Sequence, residues 1–416
     1  MNILYCENLK YGNLGTQSTH ILGVVNNLRK LGHNVVLINE EKHGSGIKLD
    51  TNRKSGWGQV RDSMSRWRIL KPVRGGGVIL YFLLRDIWSF LQISVILAKK
   101  ERKFDVIYRR DHLFNSEYFL ARIFRIPVVK EVNGITVDEL KIAGHVGNVA
   151  SQIIDKIDHI ILPKADKIVV VTSNLKEVLQ KDYGIPGDKI VVIPNGTNTE
   201  IFHPMDTTII REKLKLEHSD NYVCYIGAFQ AWAGIENLIK CVPLVLKECP
   251  DTRFLLVGDG TLRQELNDLG RQLGIADRMI FTGMVPYQDV PLYINASDVC
   301  VCPGDDNFRN KRVGGGSPLK LPEYMACARP VVIGSVVELS KDVTETNSGL
   351  AVDMRNKDEL ARALISLLKD GELRKKMGEN GRKAAIEKYS WTRVAEQIIE
   401  VCQSVAKKKE TSQNKS

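Results

Sequence analysis

The segment Gly314-Gly315-Gly316-Ser317-Pro318-Leu319-Lys320-Leu321-Pro322-Glu323-Tyr324-Met325-Ala326 sets a cation and a carboxylate three positions apart behind a run of small residues. The small residues free the backbone to approach a ligand closely, and the next residues read as a helix start. Backbone N–H groups at a helix start, together with the positive end of the helix dipole, attract anions, and Lys320 adds a full positive charge. That combination suits a diphosphate. Glu323 lies about one helical turn further on, so both side chains can face one ligand. A carboxylate accepts hydrogen bonds from vicinal hydroxyls and so fits a ribose. Spacing alone leaves a second reading open, a flexible loop capped by a solvated Lys–Glu pair.

Other reactive residues point less sharply. Arg109-Arg110-Asp111-His112 follows an apolar run, and Arg109 there either meets an acidic acceptor or pairs with Asp111. His20, on the face of the first amphipathic stretch, reads as packed or solvated rather than catalytic. Cys300 and Cys302 alternate along a strand and read as core thiols. The eight cysteines are too few and too irregular for a disulfide framework, and no C-x-x-C or H-E-x-x-H occurs, so no metal site is expected.

The elements that must hold these residues repeat as strand, glycine loop and helix. Asn2–Cys6 is a short apolar run, followed by a loop with Gly12 and Gly15, an amphipathic stretch from Thr19 to Leu31, and a second apolar run at Asn34–Ile38. Further strands are expected at Phe104–Tyr108, Pro127–Val132, Lys167–Val171 and Lys189–Ile193. After the turn-rich Ile193-Pro194-Asn195-Gly196, a second series comes at Tyr222–Ile226, Arg253–Val257, Arg278–Thr282, Asp298–Cys302 and Pro330–Ile333. Short β-branched runs between helices predict parallel strands buried on both faces. The fold class is therefore α/β, two Rossmann-like domains with a cleft between them. The expected domains are 1–200, joined by a returning C-terminal helix at about 391–406; 201–390; and a frayed polar tail from 407 to 416. Ligands bind at the carboxyl ends of strands in such sheets, where the glycine loops lie.

With 416 residues, 43% hydrophobic and 26% charged, the chain has the composition of a soluble globular protein, which excludes wholesale disorder, collagen and coiled coil. Its net charge of +10 is not spread evenly. Residues 1–195 carry 29 basic and 19 acidic side chains, residues 196–416 carry 30 and 30, and residues 42–110 alone hold 16 against 5. The start of the chain lacks the pattern of a signal peptide, and the reducing cytosol is the expected compartment. Val78–Ala98 is 21 residues long, enough to span a bilayer, but Arg85 and Asp86 near its middle favour a buried or interfacial helix.

The blocks ADKIVVVTSNLKEVL…IVVIPNGTNTEIFHP, YIGAFQAWAGIENLI, FLLVGDGTLRQELNDL, IFTGMVPYQDVPLYINASDVCVCP and SPLKLPEYMACARPVVI occur in this order. Together they resemble the family 4 glycosyltransferases, metal-independent retaining enzymes of the GT-B fold, over essentially the chain from Asn2 to about Trp391. The resemblance implies that Glu323 is the second glutamate of an E-x7-E motif that holds the ribose of a nucleotide donor. It implies that the backbone at Ser317, Pro318, Leu319 and Lys320 meets the diphosphate. Gly227 would open the first strand-loop of the nucleotide domain, Gly258 and Gly260 would form its V-G-x-G turn, and Met284 and Val285 would border the base. In the first domain, Gly12 to Thr16, with Gly15 and Thr16 nearest the helix, would lie beside the transferred phosphate and sugar.

Departures from the family pattern matter as much. The first glutamate of E-x7-E falls on Gly315, and the usual Arg and Lys after the first strand of the second domain fall on Ala228 and Ala233. The S-P-L-K-x-x-E loop resembles a subgroup in which Lys320 takes over phosphate neutralisation. Asn133 stands where many members have an active-site histidine. Asp305, beside Asp306 after an expected strand, either binds sugar hydroxyls in place of the missing glutamate or belongs to a solvated acidic turn.

The expected activity is retaining transfer of a sugar from a nucleotide-diphosphate donor, used as a co-substrate with no cofactor, to a glycan or lipid-linked acceptor. Lys320, Asn133 and Asp305 would carry the reaction. The alternatives are a nucleotide-sugar epimerase of the same architecture and a degenerate nucleotide-sugar-binding protein, the latter suggested by Gly315, Ala228 and Ala233. Arg66, Trp67 and Arg68 lie within residues 42–110, whose cations interleaved with tryptophan suit an anionic membrane surface or, equally, a solvated loop before a core helix. Without a recognised nucleic-acid motif, a peripheral position at the inner face of the cell membrane is expected rather than nucleic-acid binding.

Overall fold

The computed structural model describes residues 1–6, 16–38, 77–98, 103–110, 117–142, 146–304 and 317–413. Gly15, Arg66, Trp67, Arg68, Asp305 and Gly315 lie outside the described residues. Among those described, the strands form two six-stranded sheets with every neighbouring pair parallel.

The first sheet holds β1 (Asn2–Cys6), β2 (Asn34–Ile38), β3 (Val106–Arg110), β4 (Val128–Val132), β5 (Lys167–Val170) and β6 (Ile190–Val192), in the order β2-β1-β3-β4-β5-β6. The second holds β7 (Asn221–Ile226), β8 (Thr252–Val257), β9 (Met279–Gly283), β10 (Val299–Cys302), β11 (Val331–Gly334) and β12 (Gly349–Val352), in the order β12-β11-β10-β7-β8-β9. In each sheet the chain adds strands on one side of the first and then crosses to the other. The switch points therefore fall between β1 and β3 and between β7 and β10.

Parallel strands covered by helices on both faces bury every residue, and β3, β4, β10 and β11 are buried throughout. Helix starts obey local chemistry. Thr172 accepts from the Leu175 N–H, Asp206 from Thr208 and Ile209, and Asp370 from Leu373, each supplying an oxygen to an otherwise unpaired donor.

Several expectations need correction. β3 starts and ends two residues later than expected, so Arg109 and Arg110 belong to the strand and not to a loop after it. β12 was not foreseen, because a four-residue run opening on glycine carries little pattern. The polar end expected to fray from Lys407 is helical as far as Gln413. The helix Trp391–Gln413 is anchored by buried Val394, Ile398, Cys402 and Val405, and lysine is a good helix former, so it propagates past its last core contact.

The chain divides into two compact units. The first contains the described residues up to Ile193 and the C-terminal helix from Ala395; the second contains residues 194–304 and 317–394. The break falls inside the I-P-N-G turn. Thr197 and Thr199, just beyond it, are tied into the second unit: the Thr197 N–H donates to Tyr389 O (2.7 Å), the Trp391 N–H donates to Thr197 O (3.0 Å), and Arg382 donates to Thr199 O.

Candidate functional site

In the second unit, three strand-end loops lie edge to edge at the carboxyl side of the sheet. The Gly227 N–H donates to Val257 O (2.9 Å), the Phe229 N–H to Asp259 O (2.9 Å), and the Gly258 N–H to Gly283 O (3.0 Å). Only glycine fits two of these positions. Gly227 has φ +146° and Gly258 has φ +134°, and a Cβ on Gly258 would stand 2.0 Å from Gly227 O. Gly260 closes the same turn against Phe229 O. Gly258→Ala is expected to destabilise the protein by about 2 kcal/mol or more, from backbone strain plus the collision. Gly274→Ala serves as the comparison, since Gly274 has φ +69° with open space around its missing Cβ. Equal falls in Tm for the two variants would refute a close backbone approach at Gly258.

Lys320 opens the short helix Lys320–Ala326. Its side chain crosses the switch point and sets Nζ 4.1 Å from the centre of the Tyr225 ring on β7. A Cβ on Gly227 would come within 2.7 Å of that Nζ, so the ammonium lies against the bare glycine backbone. Burial works against the charge, but the Tyr225 hydroxyl, Cys302 and Glu323 outweigh it and hold the Lys320 pKa above lysine's ordinary value.

Glu323 comes next on the same helix, 6% exposed, and its Oε1 accepts from the Tyr287 hydroxyl at 3.2 Å. Burial pushes its carboxyl up to about 8, against the opposing pull of Tyr287 and Lys320. A carboxyl with a pKa in that range can exchange a proton when a ligand brings hydroxyl donors to it. Sequence reading did not foresee Tyr287, which lies 36 residues away in the chain.

Ser317, 5% exposed, is held by the turn that begins the second unit. Its Oγ accepts from the Asn195 N–H (3.0 Å) and its carbonyl from Asn195 Nδ2 (2.8 Å). The I-P-N-G turn thereby fixes the start of the segment that carries Lys320. Pro318 and Leu319 are half-buried, Met284 after β9 is 84% exposed, and Val285 packs against the core. Ala228 is exposed and Ala233 half-buried, and neither offers a charge.

In the first unit, Arg109 is not available to an acidic acceptor. It is fully buried, with Nε 3.3 Å from Glu117 Oε1 and Nη1 donating to Ser89 Oγ at 3.2 Å. Its ion pair among the described residues is with Glu117, because the strand continues through Arg110 and turns Arg109 into the interior; Asp111 lies outside the described residues. Thr16 begins the helix Thr16–Lys30. Asn133 stands just beyond β4, half-buried, and its Nδ2 donates to Glu131 Oε1 at 3.0 Å. His20 is buried, with Nε2 2.9 Å from the same oxygen. No motif in the sequence marks Glu131, and nothing there sets His20 apart from a packed or solvated helix residue.

Two six-stranded parallel sheets of this topology form the GT-B fold, and the family models that the chain matches make it a glycosyltransferase. Residues 17–201 match the model of Glycosyltransferase Family 4, and residues 206–384 match that of Glycosyl transferases group 1. The two spans cover most of the sequence, and the chain belongs to the family 4 glycosyltransferases. It is 27% identical over 306 residues to an uncharacterized glycosyltransferase of Methanocaldococcus jannaschii, covering 72% of this chain and 75% of that one. Its fold is similar to that of sucrose-phosphate synthase from Thermosynechococcus elongatus, with a TM-score of 0.69 at 19% identity over 97% of this chain and 99% of the other. The fold of Anabaena HepE, solved in complex with UDP-glucose, is also similar, with a TM-score of 0.64 at 15% identity, over 97% and 100% of the two chains.

Proposed function

We propose that this glycosyltransferase moves a sugar from a nucleoside diphosphate donor to a glycan or lipid-linked acceptor, with retention at the anomeric carbon and without a metal. The observation that carries the reading is the pair on the helix Lys320–Ala326: a lysine ammonium against the bare backbone of Gly227, and the buried carboxyl of Glu323 beside it. A nucleoside diphosphate presents two anionic phosphates and a ribose with vicinal hydroxyls, chemistry that an ammonium and a carboxylate complement. Ser317, Pro318 and Leu319 would bring backbone to the diphosphate, and Met284 and Val285 would border the base. HepE, a protein of the same fold, binds UDP-glucose.

In the proposed reaction the bond between the anomeric carbon and the phosphate oxygen breaks. The acceptor oxygen bonds to that carbon from the same face. The acceptor's proton passes to the leaving phosphate oxygen, and Lys320 neutralises the charge that develops there. Asn133, and Asp305 outside the described residues, would hold hydroxyls of the sugar or acceptor. Release of free nucleoside diphosphate only on addition of an acceptor, with the product's anomeric configuration read by NMR, tests this reading. Release independent of acceptor, or an inverted product, would sink it.

The acceptor's location rests on the helix Gly77–Ala98. Leu80, Leu84, Ile87, Trp88, Leu91 and Val95 are exposed along its length, whereas Asp86 and Ser89 are buried. No helix among the described residues is long and apolar enough to cross a membrane. A helix with its apolar side outward, next to a sequence stretch rich in Lys and Arg, suits an in-plane position on an anionic leaflet. Binding to vesicles containing phosphatidylglycerol is expected to fall at least tenfold between 50 and 500 mM salt, as roughly expected for screened contacts. Leu84→Asp with Leu91→Asp should weaken what remains. No binding at low salt would remove the membrane reading while leaving the transferase one intact.

A further inference from the structure

The helices Gly77–Ala98, Glu117–Ile123, Asn148–Ile161 and Ser173–Lys181 cover one face of the first sheet. Ile93, Tyr118, Ile154 and Leu175, one from each, share a single core with Leu4, Ile107, Val128 and Ile168, strand residues that the parallel register points to the same face. In water such a layer buries its apolar side chains and turns polar ones outward. The helix Ser173–Lys181 does so, with Ser173, Glu177, Gln180 and Lys181 exposed. The other three do not. Besides the apolar side of Gly77–Ala98, Phe119, Ile123 and the adjoining Phe124 are exposed at the second helix, and Val149, Ile153 and Ile160 at the third. Phe119 and Val149 are 63% and 73% exposed.

The spacing makes each exposed set a stripe. Phe119 and Ile123 are one helical turn apart, as are Val149 and Ile153, with Ile160 two turns further on, so each set stands on the outer side of its own helix. Polar groups lie on the inner side instead. Asp86 and Ser89 of Gly77–Ala98 are buried, Ser89 Oγ accepts from Arg109, and Arg109 pairs with Glu117, the first residue of the next helix. The two helices pack against each other over this bridge. Polar inward and apolar outward is the order that hydrocarbon, not water, selects. In the second unit the exposed large apolar residues among those described, such as Ile209, Leu273 and Ile386, are scattered singly over separate elements and need no partner.

Charge selects what covers this surface. The chain enters the helix Gly77–Ala98 from residues 42–76, which carry nine basic and two acidic side chains, and leaves it into Lys99-Lys100-Glu101-Arg102-Lys103. Anionic headgroups neutralise such cations, and the acyl chains beneath them take up apolar side chains. A second copy meeting the same face would instead set one cation-rich stretch toward another. We propose that the outer sides of the three helices form one platform that lies on an anionic lipid leaflet, so that the first unit is held by apolar insertion along three helices and not along Gly77–Ala98 alone. The inference rests on the membrane reading of that helix and adds two helices which that reading does not use.

The test leaves Gly77–Ala98 intact. Phe119→Ser with Ile123→Ser, and Val149→Ser with Ile153→Ser, are sedimented with vesicles of phosphatidylcholine and phosphatidylglycerol at high salt, where screened charge contributes least. Each pair should weaken binding about tenfold or more, because two large apolar side chains leave the contact. Wild-type binding by either pair overturns the inference and leaves the membrane reading of Gly77–Ala98 standing; no binding by the wild-type chain at low salt removes both. A wild-type dimer in solution that the serine pairs dissociate, without vesicle binding, also overturns the inference and makes the face an interface between copies. If a pair does not fold, single cysteines carry the test. All eight native cysteines are buried, so Ile123→Cys, Val149→Cys and Ser173→Cys each take an environment-sensitive fluorophore selectively. Vesicles should shift the emission from positions 123 and 149 to the blue and leave that from the polar fourth helix unchanged. No shift at 123 or at 149, or an equal shift at 173, overturns the inference.

Discussion

Lys320→Met is expected to lower kcat/KM for sugar transfer by about a hundredfold to a thousandfold, the loss typical of removing one preorganised group that meets developing charge. The residue is held in place rather than merely present. Its ammonium is fixed between the Tyr225 ring face and the glycine backbone at Gly227, on the side of the sheet where β7 and β10 diverge. The two cations usual after the first strand of the second domain are Ala228 and Ala233 in this chain, so Lys320 has no nearby substitute on those positions. Methionine keeps much of the length and removes the charge. Lys320→Arg is expected to recover little, because the larger planar guanidinium does not fit against Gly227. Steady-state kinetics with a fixed acceptor checks both variants. Activity of the methionine variant within threefold of wild type would show that the leaving charge is met elsewhere.

Glu323→Ala should abolish nucleotide protection in a thermal-shift assay, and Glu323→Gln should separate the carboxylate's charge from its shape. With a carboxyl pKa of about 8 in the free protein, Glu323 is mostly protonated at pH 7. If ribose hydroxyls donate to the carboxylate, binding releases that proton. Nucleotide affinity should then rise with pH up to about 8 and level off above it, by at most tenfold for each pH unit. The stability of the free protein runs the other way. The native pKa lies above the unfolded value near 4.5, so the contribution of the neutral carboxyl is fully present below about 4.5 and is lost as pH rises through about 8. Relative to Glu323→Gln, wild-type Tm should therefore fall across that interval and stay level beyond it. Isothermal calorimetry and Tm series from pH 5 to 9 check the two slopes. A pH-independent affinity for wild type would refute ribose recognition by the carboxylate.

The arrangement of Lys320, Glu323 and the strand-end glycines was legible because it is local. Lys320 and Glu323 are separated by about one turn of a helix that the sequence itself announces, and the glycines at 227, 258 and 260 end runs that read as buried strands. Arg109 was misplaced for an equally local reason. The pattern suggested a strand ending at Tyr108, and two more residues of strand turned an expected surface arginine into a buried partner of Glu117. The cluster around Glu131 was not legible at all. The strand period of two relates Tyr108 to Arg110 and Glu131 to Asn133, but nothing in the sequence relates these pairs to each other or to His20. The parallel pairing of β3 with β4, with Arg110 opposite Glu131, joins the two pairs, and the packing of the helix Thr16–Lys30 adds His20.

Taken alone, the sequence determined the two βα series, the turn between them and the helix that carries Lys320 and Glu323, because strand and helix periods and glycine turns are short-range properties of the chain. It also located the whole excess of +10 in the first half. Tertiary structure decided which charges meet water and which meet each other. Pairing between strands distant in sequence buried Arg109 on Glu117 and gathered four side chains on Glu131. It also set Tyr287 on Glu323. Burial and long-range contact set the ionisation of these groups, and neither is a property of any segment read by itself.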